Sequence, residues 1–298
     1  MPRVREIKED LVFNSELMGL LEIMKNIAIF QFRSLQKKKE RFVIFANILS
    51  GFFRMIDIGS TGHKFINPKT EKAAVIMITS DEGFMGDLNF QVVDHVLLRA
   101  SSKAAELVVV GESGERYLKD LGRTYTAFKS AAGPEGRAAL ARTLKNYIAN
   151  GIAEERFGRV TISYPNPVSF MIQRVESIEL FPLTAFFLND DDSDFGQPVI
   201  VESPLGDIIE YLAEEFIEQK LTELLEDSKL SEFAARAAHL ERSGQELVEK
   251  KKRLGLQYFH AYHEFIDKNT RELFSSQIII KRKARELDAL VHSAPERI

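Results

Sequence analysis

The placement of proline constrains this chain more than any other feature. Seven of its nine prolines lie between Pro68 and Pro204, and none occurs at 3–67 or 205–294. A proline inside a helix costs about 3 kcal/mol. Two long proline-free flanks around a proline-dotted middle therefore predict two long helices enclosing a compact domain. The predicted division is 1–58 for an N-terminal coiled-coil helix, 72–204 for an α/β domain, and 205–298 for a C-terminal coiled-coil helix and tail.

Periodicity supports the helices. In the first flank Ile7, Leu11, Leu17, Leu21, Met24, Ala28, Phe32 and Leu35 recur at steps of three or four, with one longer gap between Leu11 and Leu17. That spacing is a seam for a partner helix. Ile23, Ile27, Ile29 and Phe30 lie off the seam, so a single partner cannot cover every apolar face. In the last flank the series from Leu205 through Phe216, Leu224, Phe233, Leu240, Leu247, Leu254, Ile266 and Leu273 to Ile280 is spaced mostly by three, four or seven. It predicts one helix from Gly206 to about Leu290, on the order of 125 Å long at ~1.5 Å per residue. A helix of that length leaves any small domain, and the first flank, ~80 Å long as a helix, is its natural antiparallel coiled-coil partner.

The middle alternates α and β. AAVIMITS and ELVVVG are short β-rich apolar runs separated by the helical LNFQVVDHVLLRASSKAAE, and GPEGRAALARTLKNYIANGI is a second helix. GRVTISY and VSFMIQRVESIELFPL predict two antiparallel strands turning at Pro165-Asn-Pro167. Asp190-Asp-Asp-Ser-Asp194 predicts a solvated acidic loop, since the glycine and distal Glu of a calcium loop are missing.

ITSDEGFMGDLN, residues 78–89, has the outline of a strand, a glycine turn and a helix, and so raises the question of a phosphate cradle. Gly83 and Gly86 stand among Asp81, Glu82 and Asp87 with no Lys or Arg in the loop. Three carboxylates repel a polyphosphate unless a metal screens them, which favours a structural turn over nucleotide binding.

Composition excludes several classes. A net charge of −4 argues against a generic nucleic-acid binder, and the absence of cysteine removes disulfides and thiol chemistry. The most apolar stretch, residues 19–32, is interrupted by Glu22, Lys25, Asn26 and Gln31 and is too short to cross a bilayer of ~30 Å. MPRVREIKED lacks the apolar core of a signal peptide, so the expected compartment is the cytosol. HAYHE places His260, His263 and Glu264 on one helical neighbourhood without the HExxH order of a zinc hydrolase, and reads as a polar helix face. Glu214, Glu215, Glu223 and the run Lys250-Lys-Lys-Arg253 also read as solvated positions, and His95, a lone histidine in a helix with no Ser/His/Asp order around it, carries little information. No catalytic, metal or cofactor site is expected.

The order of these parts resembles the gamma subunit of the F-type ATP synthases. VREIKEDLVFNSELMGLLEIMKNIAIFQFRSLQ aligns without a gap to that family's opening helix, keeping Glu6-Ile7-Lys8 and Met24-Lys25. ITSDEGFMGDLN is similar to its strand-and-turn signature through Ile78-Thr-Ser-Asp81, Gly83, Gly86 and Leu88-Asn89. LLEDSKLSEFAARAAHLERS matches in the last helix through Ser231-Glu232 and Ala234-Ala-Arg236. The resemblance implies a non-catalytic rotor shaft: a long antiparallel coiled coil with a Rossmann-like α/β domain that binds no nucleotide. Implied partners are a catalytic alpha/beta-type hexamer, an epsilon-type stalk subunit and a membrane rotor ring, with indirect membrane contact at the cytoplasmic face of a bacterial inner membrane. Met24, Lys25, Arg236, Thr270, Arg271 and Glu272 are the implied coupling positions, and Asp81, Gly83, Gly86 and Asn89 the implied structural turn. Gly83 and Gly86 are expected to serve backbone geometry and close packing, and Asp81 to cap the turn or the helix that follows it. A coiled-coil scaffold of a related ATPase-driven machine would share this architecture.

The sequence also departs from the family. Ser15-Glu-Leu-Met-Gly-Leu-Leu-Glu22 replaces a basic, hydroxyl-rich stretch, Arg271 stands where the family has Gln, and KRKARELDALVHSAPERI replaces a short apolar ending.

Overall fold

The computed structural model describes residues 2–37, 63–99, 105–183 and 204–292. The predicted helix over 38–58 and the acidic run Asp190–Asp194 lie outside them. The elements in chain order are α1 (Pro2–Gln36), β1 (Ala73–Ile78), α2 (Leu88–Arg99), β2 (Glu106–Val110), α3 (Glu112–Asp120), β3 (Thr126–Phe128), α4 (Pro134–Ala153), β4 (Arg159–Pro167), β5 (Gln173–Phe181) and α5 (Leu205–His292). They fall into two compact units, one of residues 24–241 and one of 1–23 with 242–298.

In the larger unit the strands form a five-stranded sheet of order β3-β2-β1-β4-β5, parallel except for the antiparallel edge strand β5. Alternation along the strands sends side chains to two different cores. Ile76, Ile78, Val108 and Val110 face α4 and the first turns of α5, packing with Leu144, Ile148, Phe216, Ile217, Leu221 and Leu224. Met77 and Val109 face the opposite layer, where Val92, Val93, Val96 and Leu118 cover them. A parallel sheet buried on both faces needs strands that are apolar at nearly every position, which accounts for the unbroken runs AAVIMI and ELVVV.

Three points differ from the sequence-based expectation. β4 does not turn at Pro165-Asn-Pro167; it continues through Pro167, pairing Pro165 with Val175 and Pro167 with Gln173, and the reversal falls at 168–172. Both prolines stand where β4 has outrun β1, whose pairing with it stops at Ser163, so no ladder partner on that side misses their N–H. The strand β3 and the helix α3 were not anticipated. Also, Glu106, the last residue of the predicted helix, instead begins β2, while α2 is described from Leu88 to Arg99.

α1 and α5 pair in each unit along the predicted seam. In the larger unit Ala28 and Phe32 are buried, Phe32 packs with Leu230, Phe233 and Ala234, and Lys25 Nζ donates to Glu241 Oε2 at 2.9 Å. Residue numbers rise on one helix as they fall on the other, as antiparallel pairing requires. Off-seam Ile27 and Phe30 are exposed. In the smaller unit Leu21 is buried, and the gap between Leu11 and Leu17 is filled by Asn14, itself buried, whose Nδ2 donates to the Leu247 carbonyl at 2.9 Å. Lys251 Nζ donates to Ser15 Oγ at 3.2 Å beside it. One buried amide in an apolar seam favours the register that satisfies it and costs stability. Asn14→Leu should therefore raise the thermal midpoint while relaxing register: a Ser15→Cys, Lys251→Cys pair that gives one crosslinked species in the parent should give several. Among the described residues Ala261 is the last buried one of α5, and Tyr262, Ile266, Leu273 and Ile280 are exposed.

Candidate functional site

The chain runs from β1 outward through β2 to β3, then returns to the other side of β1 to lay down β4. The switch between these two directions lies at the carboxyl ends of β1 and β4. In doubly wound folds that crevice receives the ligand. Here α5 occupies it. Ser231, fully buried, donates its hydroxyl to the Pro165 carbonyl at the end of β4 at 2.8 Å. Two residues before it and five after it on the same helix, Lys229 and Arg236 engage Glu82 in the loop after β1.

These contacts make a four-charge clasp. Lys229 Nζ lies 3.1 Å from Glu82 Oε1 and 2.8 Å from Glu232 Oε2, and Arg236 Nη2 lies 2.6 Å from Glu82 Oε2. Arg236 Nε also donates to the Gly83 carbonyl at 3.3 Å, and the Phe233 ring lies beneath both cations. The Lys229 and Glu232 side chains are only 6% and 4% exposed, whereas that of Glu82 is 46% exposed. Burial pushes the Glu232 carboxyl above the ordinary carboxylate range, and the pull of Lys229 and Arg236 does not overcome it. Burial acts the same way on Glu82, but there Lys229 and Arg236 prevail and hold it below the ordinary range. The two carboxylates share the same cations and are driven in opposite directions by their depth.

Small residues let this segment approach on two sides. Ala234 packs with Phe32, Leu230 and Phe233, while Ala235 packs with Met85 and Leu88 of the loop and α2. The stretch KLSEFAARA therefore touches α1 on one side and ITSDEGFMGDLN on the other, and the two motifs that resemble a known family are each other's binding surfaces.

The loop is held by its own polar groups. Asn89 Oδ1 accepts from Ser80 N at 3.1 Å, and its Nδ2 donates to Ser80 Oγ at 3.0 Å. Asp81 caps α3, not the helix that follows it: Asp81 Oδ1 accepts from Glu112 N at 2.7 Å. The α3 N-terminus has Gly111 at its cap position and hence no side chain of its own to satisfy that donor. Gly111 and Gly114 are glycine for a separate reason. A Cβ would stand 2.5 Å from Thr79 O at the first and 2.5 Å from Thr79 Oγ1 at the second, where Gly114 N donates to that hydroxyl.

Gly83 and Gly86 are not equivalent. Gly86 has φ +62°, the left-handed region. Gly83 has no such φ, and a Cβ there would meet nothing within 4 Å, so the expected geometric need falls on Gly86 alone and Gly83 contributes its carbonyl. Gly86→Ala should lower stability by about 1 kcal/mol, whereas Gly83→Ala should change it by less than about 0.5 kcal/mol, as read from urea midpoints.

Of the implied coupling residues, Arg236 is part of the clasp and Lys25 pairs with Glu241, with Met24 half-buried beside it. Thr270, Arg271 and Glu272 are exposed on α5 in the other unit. His260, His263 and Glu264 are exposed, and no group of three His, Asp or Glu among the described residues could hold a metal ion. Glu82 and Lys229, the centre of the clasp, were not singled out from sequence.

Residues 3–275 match the family described as ATP synthase. The chain belongs to the ATP synthase gamma family. Among curated relatives, the ATP synthase gamma chain of Dictyoglomus thermophilum is 22% identical over 255 residues, 82% of this chain and 86% of the relative. That of Staphylococcus aureus is 20% identical over 285 residues, 92% and 97% of the two chains. A chain of the Euglena gracilis mitochondrial ATP synthase rotor superposes with a TM-score of 0.58 at 16% identity, covering 88% of this chain and 98% of its own length. One from the central stalk and c-ring of the Tetrahymena thermophila mitochondrial ATP synthase gives 0.54 at 21% identity, covering 75% and 99%. In this chain the clasp ties the segment of α5 that carries Ser231-Glu232 and Ala234-Ala-Arg236 to the 80–87 turn of the α/β domain.

Proposed function

We infer that this chain is the central-stalk rotor of an F-type ATP synthase or ATPase, a non-catalytic subunit that carries torque between a membrane ring and a catalytic hexamer. The observation that carries this reading is the family match over residues 3–275, which takes in α1, the whole α/β domain and most of α5. The geometry agrees with a transmitting rather than a catalysing part: the crevice that would seat a nucleotide is filled by Lys229, Ser231 and Arg236.

Torque requires that helix and domain turn together. The clasp resists sliding of α5 past the 80–87 loop, because displacement takes the Glu82 carboxylate away from both Lys229 and Arg236 and leaves these buried cations without that counter-charge. The paired helices, turning inside an alpha/beta-type hexamer, present different side chains to each catalytic site in turn, so that each site's nucleotide affinity is biased by differential contact energy. Exposed apolar Ile27 and Phe30 on α1 suit such an enclosing partner. The α/β domain is the part that meets an epsilon-type stalk subunit and the membrane ring. Residues 1–58, 72–204 and 205–298 are the functional divisions, and Met24, Lys25, Arg236, Thr270, Arg271 and Glu272 the coupling positions. No helix among the described residues is long and apolar enough to cross a membrane. The chain is a peripheral part of a membrane-bound complex, and we place it on the cytoplasmic face of a bacterial inner membrane with protons or sodium as coupling ion.

Affinity purification of the full chain from its native host tests the reading. Nucleotide-binding hexamer subunits should be retained with it, and isothermal calorimetry of the chain alone should give no saturable heat with millimolar ATP. Retention of no hexamer subunit, or saturable binding lost on Ser231→Leu, would overturn it.

A further inference from the structure

A second polar contact holds α5 close to the clasp, from another element. Arg137 of α4 donates Nε to Glu226 Oε1 at 2.9 Å and Nη2 to Glu226 Oε2 at 3.0 Å, while its Nη1 donates to the Ala132 carbonyl at 2.7 Å. The two paired side chains are 6% and 14% exposed. Further along the same helices Arg142 and Lys145 reach Glu218, each through one nitrogen. The two-pronged pair is unusual in its position. Arg137 lies in the first turn of α4, where its N–H bonds the Gly133 carbonyl at 3.0 Å, and the helix dipole disfavours a cation there. A buried ion pair also gains little over apolar residues of similar volume. Stability is thus a poor reason for an arginine at this position, and direction is a better one. Burial of Phe216, Ile217, Leu221 and Leu224 against the domain is non-directional, whereas two N–H···O bonds from one planar guanidinium fix distance and angle together.

We propose that Arg137 is a positioning residue for torque, its fork on Glu226 stopping α5 from rolling against the α/β domain under load. This rests on the rotor reading and adds to it a residue outside the coupling positions named above. Around the axis of α5, Lys229 points about 60° and Ser231 about 140° away from Glu226. The three are held by different parts of the domain: Glu226 by α4, Lys229 by the loop after β1, and Ser231 by the end of β4. A helix fixed from one direction can roll about that contact. Fixed from three, it turns only with the domain.

The test uses the full chain and membranes carrying the assembled complex. Arg137→Leu combined with Glu226→Leu removes the fork and leaves an apolar contact, so the thermal midpoint of the chain should stay at or above the parent's. The ratio of ion pumping to ATP hydrolysis should nevertheless fall about threefold, and the shortfall should grow as the ion gradient opposing rotation builds up. Arg137→Lys keeps the charge but not the planar fork, and its ratio should fall about twofold. A ratio equal to the parent's in either variant, or one that falls only together with thermal midpoint and assembly, would overturn the proposal. The two readings fail separately: a parent complex that hydrolyses ATP without pumping ions counts against the rotor, whereas a pumping parent matched by its variants counts against Arg137 alone.

Discussion

Lys229→Met is expected to lower the unfolding free energy by about 3–5 kcal/mol at neutral pH, the cost of removing one partner from a buried ion pair. Lys229 is the cation that both carboxylates of the clasp share, at 3.1 Å from Glu82 and 2.8 Å from Glu232. Its loss leaves Glu232 buried with only the more distant Arg236 acting on it. The pH dependence has a definite sign. Glu232 already titrates above its ordinary value of 4.5, because burial outweighs its partners. An acid raised in the folded state contributes stability that is fully present below the unfolded value and is lost as pH rises through the folded one. Removing Lys229 raises Glu232 further and relieves the depression of Glu82, so the deficit of the variant should be largest at neutral pH and should narrow as pH falls toward 4.5. Urea unfolding across this range reads it directly. Adding Glu232→Leu should restore most of the loss at neutral pH, since a removed pair costs far less than a broken one. A deficit that is flat with pH would show that Lys229 contributes packing against Phe233 rather than charge.

Arg236→Ala is expected to separate coupling from assembly. Its charge partner, Glu82, is half-exposed and is re-solvated when the guanidinium goes, so the stability cost should be about 1 kcal/mol. The mechanical consequence is larger. Arg236 is the side chain that joins α5 to both the Glu82 carboxylate and the Gly83 carbonyl, and without it Lys229 is the cation of the clasp left to hold Glu82. In membranes carrying the assembled complex, ATP-driven ion pumping should fall at least fivefold relative to ATP hydrolysis, about 1 kcal/mol of lost coupling on the usual free-energy scale. Lys25→Ala should do much less, because its Glu241 partner is half-exposed and the pair contributes little. Equal losses of assembly and pumping for Arg236→Ala would make the clasp a folding element only, and unchanged pumping would remove it from the torque path.

The architecture was legible because its signals are local and repeated. Proline-free flanks and the seam from Ile7 to Leu35 marked α1, and AAVIM, ELVVV and the two helical runs marked the α/β alternation. β3 has only Thr126, Ala127 and Phe128, too short for a period, and α3 buries only Gly114 and Leu118, too few to show a helical face. Asn14 appeared as a gap in the seam, since a buried amide has no apolar signature. The clasp was illegible for another reason. Glu82 and Lys229 are 147 residues apart, and each is an ordinary charged residue in its own neighbourhood until the topology closes the switch point. The resemblance marked Arg236 as notable without showing that its partners lie within this same chain. Gly83 shows the converse: a motif position read as conformational turns out to supply a carbonyl.

The most direct test of the rotor reading is single-molecule observation of the assembled complex, with the hexamer fixed to a surface and a probe attached to the α/β domain at the exposed Lys119. On addition of ATP the probe should turn stepwise in one direction, and in the Arg236→Ala complex it should turn against a smaller load. A probe that stays still, or drifts without direction while the hexamer hydrolyses ATP, would contradict the assignment of this chain as the shaft.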